Sequence, residues 1–276
     1  MPDPKEQGAI EFKTFTITVE TPDGRLPPAT INVPEVPLGL ADLAPLAFGL
    51  EDGIVDLAVR KALRSGRTAS CRRGCGVCCR QLVPVSAPEA IYIMETVLSG
   101  TNNKAAFFMR RFAQIRAQLA EAGLWDKLRR IDSTKDQSPL AAQYWERRAP
   151  CPFLAEDSCS IHPSRPCACR EYTVTSEPSL CSQLLSARVE RIKIHKKMTT
   201  ALAKTAGCLL STPPQLVPLV TVPEWYEEHR EAAGMRWMGS GLFDLFLDCA
   251  FNAGEAPDSA NEQSEKIFKT NFISRA

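Results

Sequence analysis

The stretch Cys71-Arg72-Arg73-Gly74-Cys75-Gly76-Val77-Cys78-Cys79 decides how the rest of the chain is read. Two cysteines separated by two residues can bend round one metal ion, because a short turn brings both sulfurs within bonding reach. Gly74 and Gly76 flank Cys75. They permit the tight turns and free N–H groups that thiolate clusters use. A second group lies far downstream: Cys151-Pro152-Phe153-Leu154, then Cys159-Ser160-Ile161-His162, Arg165-Pro166, Cys167-Ala168-Cys169-Arg170, and Cys181. A metal between the two groups would close a long loop and lock the fold.

The whole composition supports that emphasis. The chain has 276 residues, 44% hydrophobic and 24% charged. That is enough for one large domain or two small ones, with a core that needs no staples. Eleven cysteines are therefore not explained by a shortage of core, and an odd number fits full disulfide pairing poorly. The start, Met1-Pro2-Asp3-Pro4-Lys5-Glu6-Gln7, lacks the basic and apolar regions of a secretory signal. No stretch approaches the roughly 18 apolar residues of a membrane helix. The expectation is a cytoplasmic protein with no membrane partner. In that compartment structural disulfides are rare, and many cysteines read as metal ligands or redox groups. Free buried cysteines do not usually cluster at ligand spacing. The net charge of +1 gives no global bias toward nucleic acid.

Around the cysteines the sequence predicts a mainly α fold. A small N-terminal β-hairpin and an irregular, cysteine-rich, metal-bound centre complete it. Residues 10 to 33 mix Phe12, Phe15, Ile17 and Val19 with strand-forming threonines, and Thr21-Pro22-Asp23-Gly24 is a turn signal. The run from Pro34 to Gly49 reads as loop or broken helix. Residues 51 to 65 place Val55, Ala58, Val59, Ala62 and Leu63 at helical spacing, with Gly66 as the stop. Ser86 and Glu89 have capping-box spacing, so a helix starts there, with Gly100 as its end. A helix over 104 to 121 carries Phe108, Phe112, Ile115 and Leu119 on one stripe. A short one is expected over 139 to 148. Pro150 to Ser182 reads as loop, and 183 to 206 as a long helix with Leu185, Val189 and Ile192 on one side. Helices over 223 to 233 and 240 to 251 follow, then a polar stretch from Ala253 to Glu265. The domain boundaries drawn from this are 1–66 (hairpin and helix), 67–210 (cysteine-cluster domain) and 211–276 (helical extension and polar tail).

The ordered set Cys71-x3-Cys75-x2-Cys78-Cys79, Cys151-Pro152-Phe153-Leu154, Cys159-Ser160-Ile161-His162, Arg165-Pro166-x2-Cys169-Arg170-x-Tyr172 resembles the bacterial CxxCxxCC family, also called the YkgJ-type cysteine cluster family. The resemblance covers about residues 68 to 182. It departs from the family in its first spacing, in His162 where an aromatic residue often stands, and in the extra Cys167. It implies chelation of zinc or iron. By the match, the ligands are Cys71, Cys75, Cys78, Cys79, Cys151, Cys159, Cys169 and Cys181, with Cys167 an alternate or a spare thiol. Adjacent Cys78 and Cys79 point in different directions, so they are not expected to share one ion. Eight ligands could make two four-coordinate sites, or one cluster and one mononuclear site. Four-thiolate sites suit both zinc and a [4Fe–4S] cluster.

Other residues are read more plainly. Cys249 shares a helical stripe with Leu242, Leu245 and Phe246, and Cys208 sits by an apolar run; both are assigned to the core. His195 and His229 are expected in solvent. His162, three residues after Cys159, is the one histidine with ligand spacing. Arg165 and Arg170 suit either sulfur or anion contacts, or plain packing. Trp225, Tyr226 and Trp237 are assigned to the core. No Gly-rich phosphate loop, H-E-x-x-H or G-x-S-x-G occurs. Cys71, Cys75 and Cys78 have radical-enzyme spacing, but the alternating strands and helices of a β/α barrel are missing.

Three functions remain. One is a metal-binding protein serving an unidentified protein partner or substrate. The second is an iron–sulfur-dependent redox or group-transfer enzyme, since one branch of the family resembles flagellin lysine methylases. The third is a zinc-stapled nucleic-acid- or protein-binding module. It ranks last because the basic stretches lack interleaved aromatics.

Overall fold

The computed structural model describes residues 10–98, 102–131, 137–183, 185–186 and 188–252. In β1 (Phe12–Ile17), Phe15 and Ile17 are buried while Thr14 and Thr16 face out, the alternation of a half-buried strand. The chain turns through β2 (Glu20–Thr21) and β3 (Gly24–Arg25) and returns as β4 (Ala29–Pro34). β1 and β4 pair antiparallel, with Phe12 opposite Pro34 and Ile17 opposite Ala29. Gly24, at the end of the expected turn, has φ +141°, a conformation that favours glycine.

The segment after β4 is more ordered than its composition suggests. It forms β5 (Pro37–Leu38), a 3-10 turn and the start of α1 (Leu43–Arg64). Helix α1 thus begins well before residue 51. Pro45 falls in its first turn, where the missing N–H has no intrahelical partner to lose. The buried stripe is also rotated from the expected one. Ile54, Leu57, Ala58 and Ala62 are inside, Val55 and Val59 are half-buried, and Leu63 is exposed.

β6 (Pro84–Ser86) leads directly into α2 (Ala87–Tyr92), which Ser86 and Glu89 open as the spacing predicts. A π turn over Ile93–Val97 continues it. Gly100, its expected end, lies outside the described residues. α3 (Asn102–Glu121) buries Phe108, Phe112, Ile115 and Leu119 as expected. α4 (Trp125–Arg129) and α5 (Ser138–Glu146) close a core against it through Leu128, Ala141 and Tyr144.

The second cysteine segment holds a two-residue-strand hairpin, β7 (Leu154–Ala155) and β8 (Ser158–Cys159), and one short helix, α6 (Cys167–Glu171). The long helix expected over 183 to 206 does not form. Among the described residues, the α-helix there is α7 (Met198–Leu210). Residues 190–192 instead run beside 173–175: the Thr175 N–H donates to Glu190 O and the Ile192 N–H to Thr173 O. Ile192 and Ile194 are buried on either side of exposed Lys193. That is a period of two, the alternation of an extended strip rather than of a helix.

β9 (Leu216–Pro218) pairs antiparallel with β6. α8 (Val222–Glu228), α9 (Arg230–Gly234) and β10 (Trp237–Met238) follow, and β10 pairs with β5. α10 (Gly239–Leu247) passes into a π turn, Asp248–Asn252. The stretch 253–265 lies outside the described residues. The first and last described elements meet in the largest core. Phe15 stacks edge-on against Phe243 at 4.6 Å, and α1, α7 and α10 contribute Ile54, Leu202 and Phe246. A Cβ on Gly239 would meet Pro34 O at 2.1 Å, so α10 approaches β4 as closely as glycine allows. The architecture is mainly helical with small antiparallel strand pairs. Among the described residues, no helix is long and apolar enough to cross a membrane.

Candidate metal centre

The start of the first cysteine loop is held against Val174. The Ser70 N–H donates to Val174 O at 2.8 Å, and the Val174 N–H donates to Cys71 Sγ at 3.4 Å. Gly74 takes φ +85°. The loop then tightens into a 3-10 turn, Val77–Arg80, in which the Cys79 N–H donates to Gly76 O.

The β7–β8 hairpin packs onto this loop. Its turn residues Glu156 and Asp157 both have positive φ, 48° and 54°, the form that matches the twist of a tight hairpin. A Cβ on Gly76 would meet Leu154 Cδ1 at 2.6 Å and Asp157 O at 2.9 Å. The Cys151 N–H donates to Cys79 O. Phe153 anchors the hairpin from behind, its ring 5.0 Å from Phe108 and 5.7 Å from Phe112 of α3.

Two further pieces bring the remaining thiols. α6 carries Cys169. Its first N–H, from Cys167, donates to Glu89 Oε1 at 2.8 Å, which ties the helix to α2. Cys181, on the 3-10 turn Pro178–Gln183, is buried with Tyr172 and Val174 against Val77 and Cys78.

Cys78 stands between two sets of sulfurs. Cys151, Cys159 and Cys169 lie within each other's electrostatic reach and within that of Cys78. Cys71, Cys75 and Cys181 form the second set, again with Cys78 in reach. The Cys78 thiol also meets its neighbour Cys79 directly. All eight sulfurs named by the sequence are therefore gathered in one region. Among the described residues, however, no three His, Cys, Asp or Glu side chains are arranged to hold a metal ion between them.

The surroundings favour neutral thiols. Burial pushes Cys151 up to about 12 and Cys181 up to about 11. Cys169 is raised well above the ordinary thiol value, first by burial and then by Cys151 and Cys78. Cys78 is raised first by its bond to Cys79 and then by burial. One group opposes this. The Arg165 charge lowers Cys71, Cys78, Cys159 and Cys169 alike. Its Nε–H is buried with no hydrogen-bond partner among the described residues. A buried, unpaired cationic donor facing four thiols suits sulfurs that carry negative charge, as metal-bound thiolates do. Soft thiolates suit zinc and iron. The donor set fits such a metal in its chemistry.

Arg170 plays another part. It is 4% exposed and donates to Asp52 Oδ2 at 2.5 Å, to Arg165 O at 3.0 Å and to Pro163 O at 2.6 Å, and it lies over the Phe48 ring. It pins the Arg165 loop to α1. Cys167 is fully buried. Its charged neighbours are Glu89, Glu51, Glu171 and Arg170 rather than other thiols. It is outside both sulfur sets. His162 is exposed at the edge of the region.

Several side assignments change. Cys208 is exposed and Cys249 half-buried, so neither is a core residue. On α7 Ala201, Leu202, Thr205 and Ala206 are buried, and Cys208 lies exposed in the last turn of the helix. His195 and His229, expected in solvent, are both engaged. His195 lies 3.7 Å from buried Asp23, and His229 stacks on Trp225 at 4.4 Å. Trp225, Tyr226 and Trp237 are half-buried against a small core rather than inside it. The sequence also hid three buried glutamates, Glu51, Glu89 and Glu171. Only Glu89 carried a signal, its capping-box spacing to Ser86.

Residues 70–200 match the CxxCxxCC family model. Its description reads "Putative zinc- or iron-chelating domain". No curated protein and no solved structure matches the chain. The CxxCxxCC segment opens at Ser70, where the main chain pairs with Val174, and closes in the first turn of α7. It takes in all eight gathered cysteines and Arg165, and leaves Cys208 and Cys249 outside.

Proposed function

We propose that the CxxCxxCC segment is a metal centre whose zinc or iron, held by thiolates, fixes the fold of residues 70–200. The observation that carries this is the meeting of eight cysteines from separate segments round Cys78, beside a buried and unpaired Arg165 Nε. The two sulfur sets suggest two ligand groups. One is Cys71, Cys75 and Cys181, the other Cys151, Cys159 and Cys169, with Cys78 and Cys79 supplying a fourth ligand to each. Chelation draws these sulfurs into ligating contact, and the energy of binding becomes folding energy of the segment. Zinc would supply a structural staple; an iron–sulfur cluster would supply a site for electrons.

The test is elemental analysis with a visible absorption spectrum on anaerobically purified protein. Zinc near two per chain with no visible band supports a structural, partner-serving centre. Iron with sulfide and a broad band near about 400 nm, the absorption of thiolate-held clusters, supports an electron-carrying centre or enzyme. Protein that neither retains nor takes up either metal refutes chelation. Cys159→Ser and Cys181→Ser then test the grouping: each should lose one site and keep the other.

A further inference from the structure

Two cysteines outside the metal centre lie side by side. Cys208 is on α7 and Cys249 in the π turn that follows α10, and these two elements pack against each other. Their sequence neighbours Leu209, Ala250 and Phe251 rest on the same core cluster, which fixes both backbones. The Cys249 thiol meets the Cys208 thiol and the Thr205 hydroxyl. Thr205 is itself buried and held by its hydrogen bond to Ala201 O at 2.9 Å. The pair is asymmetric: Cys208 is exposed and Cys249 only half so.

We propose that Cys208 and Cys249 form a redox-active dithiol that is oxidised to an intramolecular disulfide by low-molecular-weight disulfides. The arrangement has the parts such exchange needs: an exposed attacking thiol and a sheltered resolving thiol in contact with it. In the first step the Cys208 thiolate attacks a sulfur of the small disulfide. A Cys208 mixed disulfide forms, and one small thiolate leaves. In the second step the Cys249 thiolate attacks the Cys208 sulfur. The protein disulfide forms and the second small thiolate leaves. The two protein thiols lose two electrons and two protons, and the small disulfide is reduced to two thiols. Burial holds the Cys249 proton on, while the Thr205 hydroxyl and the charge of Lys204 ease its release. The product would tie the C-terminal turn to α7. Because α7 begins inside the CxxCxxCC segment and Cys208 lies beyond it, the bond joins the end of that segment to the chain's last described element.

The sequence makes the bond readable despite eleven cysteines. Trypsin places Cys208 alone in the peptide 205–230 and Cys249 alone in 237–266. The full-length protein is incubated with glutathione disulfide, alkylated, and mapped by mass spectrometry without reduction. The expected result is a linked 205–230/237–266 species that disappears on reduction, with bound metal unchanged. In Cys249→Ser, the linked species should be replaced by a glutathione adduct on Cys208. A persistent Cys208 adduct in the unaltered chain without the linked species would overturn the proposal. So would recovery of both peptides unmodified. Neither outcome depends on whether the metal centre is filled.

Discussion

The backbone N–H of Cys151 donates to the carbonyl of Cys79 at 2.6 Å, so the two cysteine segments are joined by main chain before any sulfur takes part. The contact works only because Gly76 lets the β7–β8 hairpin come close. Gly76→Ala would drive a methyl into Leu154 Cδ1 and Asp157 O, and the second of these is backbone. A loss of about 1–3 kcal/mol is expected from such overpacking, with metal capacity falling alongside. Gly74→Ala is the control. It meets nothing within 4 Å but must hold φ +85°, a strain of about 1–3 kcal/mol. Both variants should unfold at lower denaturant, and only Gly76→Ala should lose metal. Equal metal content in the two would show that the hairpin contact does not shape the site.

Cys78 and Cys151 sit on opposite sides of that contact, and each belongs to the gathered sulfurs. Cys78→Ser and Cys151→Ser should each lose metal and melt the middle of the chain at lower temperature. Cys249→Ala, outside both sulfur sets, should keep its metal. Elemental analysis paired with thermal melts checks all three. Unchanged metal and melting in both serine variants would remove these residues from the ligand set.

The pH dependence follows from burial. In the metal-free chain Cys151 is pushed up to about 12 and Cys181 up to about 11, from an ordinary value of 9.0. Each folded pKa lies above its unfolded value, so the neutral thiols stabilise the fold fully below about pH 9. That contribution is lost as pH rises through 11 to 12. Metal-free protein should therefore weaken in this alkaline range. Metal binding requires thiolates, so it should release protons, and affinity should fall as pH falls. Titration calorimetry in two buffers of different ionisation enthalpy counts the protons. Metal uptake with no buffer dependence would contradict binding through these thiols.

Much of the frame was legible because local signals and tertiary demands agree. The Phe108–Leu119 stripe is both helical in spacing and buried, and Ser86 with Glu89 opens α2 as written. The sequence failed where packing chose between two periods. Val189 and Ile192 fit a helix, but Ile192 and Ile194 fit an extended strip beside 173–175, and in that strip both isoleucines are buried. Cys208 departs from its core assignment because it falls in the last turn of α7, where the stripe that buries Ala201 and Thr205 reaches solvent. The eight-cysteine gathering was foreshadowed by spacing, since short turns leave few places for the sulfurs to go. Sequence offered Arg165 and Arg170 equally as sulfur contacts; the fold sets the charge of Arg165 near four thiols and ties Arg170 to Asp52.

Glu89 connects that legible helix start to the metal centre. Its carboxylate is fully buried. Oε2 accepts the Ser86 N–H at 2.8 Å and the Ser86 hydroxyl at 2.7 Å, and Oε1 accepts the Cys167 N–H at 2.8 Å. One side chain thus opens α2 and caps α6, the helix that carries Cys169. Burial raises its pKa, and the bonds to Ser86 and Cys167 oppose the rise. Glu89→Ala would leave buried donors from both helices unpaired, at about 1–3 kcal/mol for each. Two such losses put the total on the order of 2–6 kcal/mol. Glu89→Gln keeps the shape but replaces one acceptor oxygen with a donor, so its loss should be smaller. Denaturant unfolding of metal-free protein ranks the two. Metal affinity should fall in the same order, because a loosened α6 no longer presents Cys169 to Cys78 and Cys151. Unfolding midpoints that match the unaltered chain would show that α6 is held by packing alone.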